Sequence, residues 1–133
     1  MTQQNVESDI LTPYLDEILK RKPEAVTALD VRGLTSYADV IMIITAASER
    51  QVTSIAEHLY IAMKNQDNKP LGFEGLKEGT WALLDFGDVI IHIFNRETRE
   101  FYDLEGLWSD APRMEIPDFE PDTREADDDE WDF

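Results

Sequence analysis

The chain of 133 residues contains no cysteine. Disulfide bonds and thiolate chemistry are therefore excluded, which fits a reducing compartment. No apolar run reaches the roughly 20 residues that a membrane-spanning helix needs. The N-terminal residues MTQQNVESD also lack the basic and apolar regions of a signal peptide. We therefore expect a cytoplasmic protein without a membrane partner.

Basic residues are also scarce, since 12 Lys and Arg stand against 29 Asp and Glu and give a formal net charge of −17. A chain this acidic repels phosphate backbones, so direct nucleic-acid binding is not expected as its main activity. A basic protein partner is compatible with the charge, which would speed encounter more than it would add affinity.

The acidic residues are concentrated at the C-terminus. Residues 115–133 hold ten Asp and Glu and one Arg, and two prolines lie among them. This composition predicts a disordered acidic tail over 115–133 and a single folded domain over 1–114.

The centre of the predicted fold is a hairpin within residues 78–94. Trp81–Leu84 and Val89–Phe94 are apolar runs rich in β-branched and aromatic residues, which favours strands. Asp85–Asp88 joins them and contains Gly87, which accepts a positive φ at no steric cost. Both runs are apolar on both faces, a pattern typical of central strands covered on two sides.

The register of this hairpin determines which side chains share a face. If Phe86 and Gly87 form a two-residue loop, Asp85 faces Asp88, and the pairing continues outward from there. Because side chains alternate along a strand, one face then combines aromatic, aliphatic, imidazole and carboxylate groups. This mixture is better suited to recognition than to a dry core, and its members are Trp81, Leu83, Asp85, Asp88, Ile90 and His92.

Further elements surround the hairpin. Hydrophobic periodicity predicts an amphipathic helix over 5–22, strands over 25–31, 40–45 and 70–73, a helix from Ser48 to about Asn65, and a short helix or turn-rich segment over 95–107. Pro13 either begins the first helix, with Thr12 as its N-cap, or bends a longer helix. Ser48 and Gln51 have the spacing of a capping box. His58 lies off the apolar stripe of the second helix, so we expect it in solvent.

The sequence contains few motifs that are typical of known enzyme classes. The sequence contains no glycine-rich phosphate loop, no GxSxG nucleophile elbow and no zinc-ligand set. Asp85, Asp88 and His92 could hold a divalent metal or act as acid and base in a divergent nucleotidyltransferase or hydrolase. Two aspartates at a hairpin tip are also what a turn requires. Side-chain chemistry alone therefore favours a soluble α/β domain that binds rather than catalyses.

A series of short motifs in chain order resembles one known family. They are ALDV (28–31), YAD (37–39), SERQV (48–52), PL (70–71), EG (74–75), GTW (79–81), LDFGDVIIHIF (84–94), YDLE (102–105) and LWSDAP (107–112). Together they resemble the ribosomal silencing factor family, also called the Iojap family, over about residues 25–112. The family usually has Ser-Gly-Thr-Ser where this chain has TAAS at 45–48. The acidic tail lies outside the resemblance.

The resemblance implies an α/β fold whose central mixed sheet of about five strands is flanked by helices, with a topology related to nucleotidyltransferases. It also implies binding to the large ribosomal subunit through its ribosomal protein number fourteen. That binding would block docking of the small subunit and repress translation when nutrients are short. Such a steric mechanism needs no cofactor, metal or catalysis. Because family members often self-associate, a homodimer formed through the face of Trp81 is an alternative use of that surface.

Overall fold

The computed structural model describes residues 2–75, 80–97, 106 and 110–114, with side chains from residue 10 onward. Its elements are α1 (Thr2–Leu19), β1 (Ala25–Asp30), β2 (Val40–Ala46), α2 (Glu49–Asn65), β3 (Gly72–Glu74), β4 (Trp81–Asp85), β5 (Val89–Asn95) and β6 (Arg113–Met114). The predicted acidic tail, and most of the segment predicted over 95–107, lie outside the described residues. The mixed α/β class is confirmed.

The six strands among the described residues form one sheet in the order β3-β4-β5-β2-β1-β6. β2 and β5 are parallel, whereas the other neighbouring strands are antiparallel. The sheet is thus mixed, as expected, but it has one strand more than the five expected. The additional strand is β6, whose two residues pair with Ala28 and Leu29. A two-residue strand carries no readable alternation, so the sequence pattern could not reveal it.

The interior of the sheet follows from one continuous apolar run. β2 reads VIMIITA and is buried along its whole length, as expected for a strand covered on both faces. β3 begins two residues later than predicted. Pro70 has no amide hydrogen to donate, and Leu71 donates its amide to the Asp85 carbonyl before regular pairing starts at Gly72.

Both described helices pack on the same face of the sheet, and no described helix is long and apolar enough to cross a bilayer. The buried stripe of α2 is as predicted and consists of Val52, Ile55, Ala56, Leu59 and Met63.

The hydroxyl of Ser48 caps α2 by accepting the Gln51 amide at 3.1 Å, which confirms the predicted N-cap. The Gln51 side chain differs from a standard capping box. It accepts from the Ala47 amide and donates to the carbonyls of Arg21 and Lys22. Gln51 therefore ties the start of α2 to the end of α1.

Pro13 lies inside α1, so the alternative of one longer helix is correct. The helix ends at Leu19, earlier than predicted, and Lys22 adopts a left-handed conformation with φ of 55°.

The prediction that His58 lies in solvent is wrong. His58 is partly buried, and its Nε2 lies 3.0 Å from Glu17 Oε1 while its Nδ1 lies 3.4 Å from Arg21 Nη2. These contacts join α2 to α1. The apolar stripe ignores polar groups at its margin, which is why hydrophobic periodicity alone placed this residue outside.

Candidate partner-binding face

The turn of the central hairpin is formed by Gly87 and Asp88. The Phe86 amide donates to the Val89 carbonyl at 2.9 Å, and Gly87 has φ of +91°. A glycine at the first central position is the signature of a type II′ hairpin turn, whose twist matches that of the flanking strands. The Gly87 amide also donates to Asp85 Oδ1 at 2.8 Å. The predicted loop, Phe86 with Gly87, is therefore wrong.

Packing of Phe86 explains the correction. Its side chain is buried in the core beneath the helices, and its ring centroid lies 5.0 Å from that of Tyr14 in α1. A residue that packs against a helix cannot also occupy the apex of the turn. The sequence held a usable signal, since the apolar character of Phe86 suits a strand end and Gly87 suits the first turn position.

The corrected turn moves the register by two residues. Trp81 lies opposite Phe94, Leu83 opposite His92, and Asp85 opposite Ile90. A shift of two residues keeps each side chain on its original face, whereas a shift of one would invert all of them. Five of the six predicted residues therefore share one face. The sixth, Asp88, is exposed in the turn, and Phe94 takes its place.

We call this surface the Trp81 face, which consists of Trp81, Leu83, Asp85, Ile90, His92 and Phe94. Its members on β4 and β5 are partly exposed, except Phe94, which is 1% exposed. The helices cover the opposite face of the same two strands. The prediction that both hairpin strands are covered on two sides is thus wrong, because the second face of β4 and β5 is only half-buried.

Three aromatic rings dominate the Trp81 face. The rings of Trp81, His92 and Phe94 are nearly parallel, with centroids 5.9 to 6.0 Å apart. This spacing is within the range in which aromatic side chains attract one another. Trp81 Nε1 donates a hydrogen bond to His92 Nδ1 at 3.2 Å. These contacts restrain the orientation of the Trp81 side chain.

A second apolar cluster supports these rings from one side. Trp81 packs against a set of buried residues on the same face of the sheet: Leu29, Val31, Ile41, Ile43, Phe94 and Ala111. This side of the Trp81 face is therefore continuous with a core. The other side of the Trp81 face, toward β3 and the turn, is bordered by Asp85 and by the exposed Glu74, which lies opposite Leu83.

Burial lowers the pKa of His92 to about 4. The charged imidazolium is disfavoured because apolar neighbours replace its water, so His92 is neutral at physiological pH. The face consequently combines neutral aromatic and aliphatic groups with a carboxylate at its edge.

The described residues do not support a metal centre. Within residues 10–75, 80–97, 106 and 110–114, no three His, Asp or Glu side chains approach closely enough to share a metal ion. Asp85 already accepts a turn amide, and His92 Nδ1 already accepts from Trp81. The predicted trio of Asp85, Asp88 and His92 is not brought together, because Asp88 lies in the turn.

The fold and this face define a small mixed α/β domain with a half-buried aromatic surface. The model of the family described as ribosomal silencing factor during starvation matches residues 4–132. The chain belongs to this ribosomal silencing factor family.

Curated relatives and solved structures agree with this assignment. The ribosomal silencing factor of Halalkalibacterium halodurans is 35% identical over 81% of this chain and 92% of its own length. That of Haemophilus influenzae is 38% identical over 74% of this chain and 98% of its own. A crystal structure of a Bacillus halodurans protein superposes with a TM-score of 0.72 at 32% identity, covering 81% of this chain and 98% of that one.

The family match also corrects one expectation about the tail. Because it extends to residue 132, it includes most of the acidic segment, which the motifs alone had placed outside the resemblance. The motifs are concentrated in the hairpin and its neighbours, so they could not register a segment defined by composition.

Proposed function

We propose that this protein binds the large ribosomal subunit through its ribosomal protein number fourteen and sterically prevents docking of the small subunit. Translation would then be repressed under nutrient limitation, in the cytoplasm, without a cofactor and without catalysis. Family membership supports the ribosomal role, since bacterial relatives at 34 to 38% identity are named ribosomal silencing factors. The observation that carries the choice of surface is the half-exposed Trp81 face.

The Trp81 face has the composition of a protein-binding hot spot. Tryptophan is enriched among residues that dominate binding energy, especially where it is held rigidly in a largely apolar setting. Trp81 is held by the ring of His92 and by the apolar cluster beneath it. Its side chain therefore loses little conformational freedom when a partner covers it, which favours affinity.

Carboxylates at the edge of the Trp81 face suit a basic partner. Asp85 uses Oδ1 for the turn amide, which leaves Oδ2 available for an arginine or lysine of the partner. Asp88 is exposed in the turn beside it. With a net charge of −17 behind them, these groups would accelerate encounter with a basic ribosomal protein.

The test of this proposal is co-sedimentation with purified large and small subunits at near-physiological salt. The protein should travel with the large subunit and lower the amount of joined ribosomes. If it sediments with neither subunit, the proposed function is wrong.

Replacement of Trp81 tests the surface itself. We expect Trp81→Ala to weaken binding to the large subunit by roughly 2 kcal/mol or more, because a buried anchor is lost. Tyr37→Ala is the matched control, since Tyr37 is an aromatic residue that is 80% exposed and lies outside the face.

Because Trp81 also packs against the second cluster, thermal unfolding must be measured beside affinity. Lower stability with unchanged affinity would assign Trp81 to core packing and remove it from the interface. Leu83→Glu, which places a charge in the middle of the partly exposed face, should weaken binding as well.

The same face offers a second candidate, self-association into a homodimer that acts as an adaptor. Its support is the contiguous, half-exposed apolar surface. A molecular mass that rises with concentration, and that returns to the monomer value in Leu83→Glu, would favour it. If dimer and ribosome compete for this surface, a monomeric variant should bind the large subunit more tightly than the natural chain. Equal or weaker binding would argue against such competition.

A further inference from the structure

His92 carries an unused hydrogen-bond donor within the Trp81 face, and we propose that the partner supplies its acceptor. This inference rests on the proposed function and specifies the chemistry of the partner at one point. It makes His92 a residue that determines specificity, in addition to its packing beside Trp81 and Phe94.

The position of the imidazole proton follows from the contact with Trp81. An indole Nε1–H can only donate, so His92 Nδ1 at 3.2 Å must be the acceptor. A neutral imidazole has one protonated nitrogen and one bare nitrogen. With Nδ1 bare, the proton is on Nε2, and the ring is neutral at physiological pH because burial lowers the pKa of His92 to about 4.

The Nε2–H finds no acceptor among the described residues. Leu83 lies opposite His92 on β4, and Ile43 lies beside it on β2. Both neighbours are aliphatic and offer no side-chain acceptor. Since His92 remains partly exposed, water can serve this donor in the free protein.

A partner that covers the face must replace that water. A buried donor without an acceptor would weaken binding by about tenfold relative to a satisfied one. A lysine or arginine placed over His92 would be rejected, because both groups would be donors. A backbone carbonyl, amide oxygen or carboxylate would be accepted.

The position of Asp85 adds a second point to this pattern. Asp85 is the diagonal cross-strand neighbour of His92, about 7–8 Å away along the sheet surface. The matching partner is thus a basic protein segment with two features at that separation. It presents an oxygen acceptor over His92 and a cationic side chain over Asp85.

The first experiment examines the free protein. Nitrogen-15 NMR of the imidazole rings, between pH 5.5 and 8, should show His92 neutral with its proton on Nε2 throughout. In Trp81→Phe, which keeps a ring but lacks the indole N–H, the proton should redistribute between the two nitrogens. A proton fixed on Nδ1 in the natural chain would overturn the inference whatever the protein binds.

The second experiment measures affinity for the purified large subunit. His92→Phe keeps an aromatic ring and removes the donor, so its dissociation constant should rise about tenfold. His92→Gln retains an amide donor and an amide acceptor, and should stay within about threefold of the natural chain. His58→Phe, the same substitution at the other histidine, is the matched control and should bind normally. Far-UV circular dichroism at the binding temperature must show all variants folded.

The outcomes separate the inference from the proposed function. If the natural chain does not bind the large subunit, the proposed function is wrong, and the inference that the partner supplies an acceptor to His92 is wrong with it. If the natural chain binds and His92→Phe binds equally well, only the inference is overturned. Equal losses in His92→Phe and His92→Gln would also overturn it, because the imidazole shape and not the donor would then be required.

Discussion

Acidification should destabilise the protein through His92. In the folded chain, burial lowers the pKa of His92 from 6.5 to about 4. When the pH lies between these two pKa values, His92 is protonated in the unfolded chain and neutral in the folded chain. By linkage, the free energy of unfolding is unaffected by His92 above about pH 6.5 and falls as the pH is lowered from there toward 4.

The size of the loss follows from the difference between the two pKa values. Each pH unit across which only the unfolded state is protonated costs about 1.4 kcal/mol, so the full range gives an upper value of about 3 kcal/mol. Because His92 keeps some contact with solvent, part of this penalty is screened. We expect His92 to account for a loss of about 1–2 kcal/mol between pH 7 and pH 5.

Urea unfolding at pH 7, 6 and 5 measures this loss. Many carboxylates begin to protonate over the same range, so the natural chain must be compared with His92→Phe, in which only the imidazole titration is missing. The decrease in the free energy of unfolding should be about 1–2 kcal/mol larger in the natural chain than in the variant. Equal decreases in the two proteins would refute a buried, neutral His92.

Two further predictions concern backbone geometry. Gly75 has φ of +75°, and a Cβ there would overlap the Trp81 carbonyl oxygen. Gly75→Ala should therefore cost about 2 kcal/mol or more in urea unfolding, whereas Gly33→Ala, with nothing within 4 Å, should change stability by less than about 0.5 kcal/mol. Lys22 has φ of 55° just after α1, where glycine is the usual residue. Lys22→Gly should raise the unfolding free energy by about 1 kcal/mol, and Asp67→Gly, at φ of 61° after α2, by less, because aspartate tolerates this conformation better. Equal gains at the two sites, or a loss at Lys22, would contradict this reasoning.

The strongly periodic elements could be predicted from the sequence. The stripe of α2, its cap at Ser48 and the continuous apolar run of β2 each have one dominant physical cause acting over a short distance. Hydrophobic periodicity and capping chemistry therefore sufficed for them. The mixture of residue types along β4 and β5 indicated a recognition surface, but the same apolar runs also predicted cover on both faces, which the half-buried Trp81 face contradicts.

Features that depend on tertiary packing could not be predicted in the same way. The turn position depended on Phe86 packing against Tyr14, more than 70 residues earlier in the chain. The environment of His58 depended on Glu17 across the helix pair. In both cases the partner is distant in sequence and local patterns do not identify it, although the residue types of Phe86 and Gly87 were compatible with the observed turn.

The corrected register changes how binding by this face should be understood. With Asp88 in the turn and Phe94 in its place, the six residues of the Trp81 face include one carboxylate, Asp85, instead of two. Its affinity should therefore come mainly from aromatic burial and from one directed hydrogen bond, which salt screens little. The net charge of −17 would instead increase the rate of diffusional encounter with a basic partner, and salt strongly screens this long-range attraction. Raising the salt concentration should thus slow association with a basic partner far more than it accelerates dissociation. A face built around paired aspartates would instead lose much of its affinity through faster dissociation.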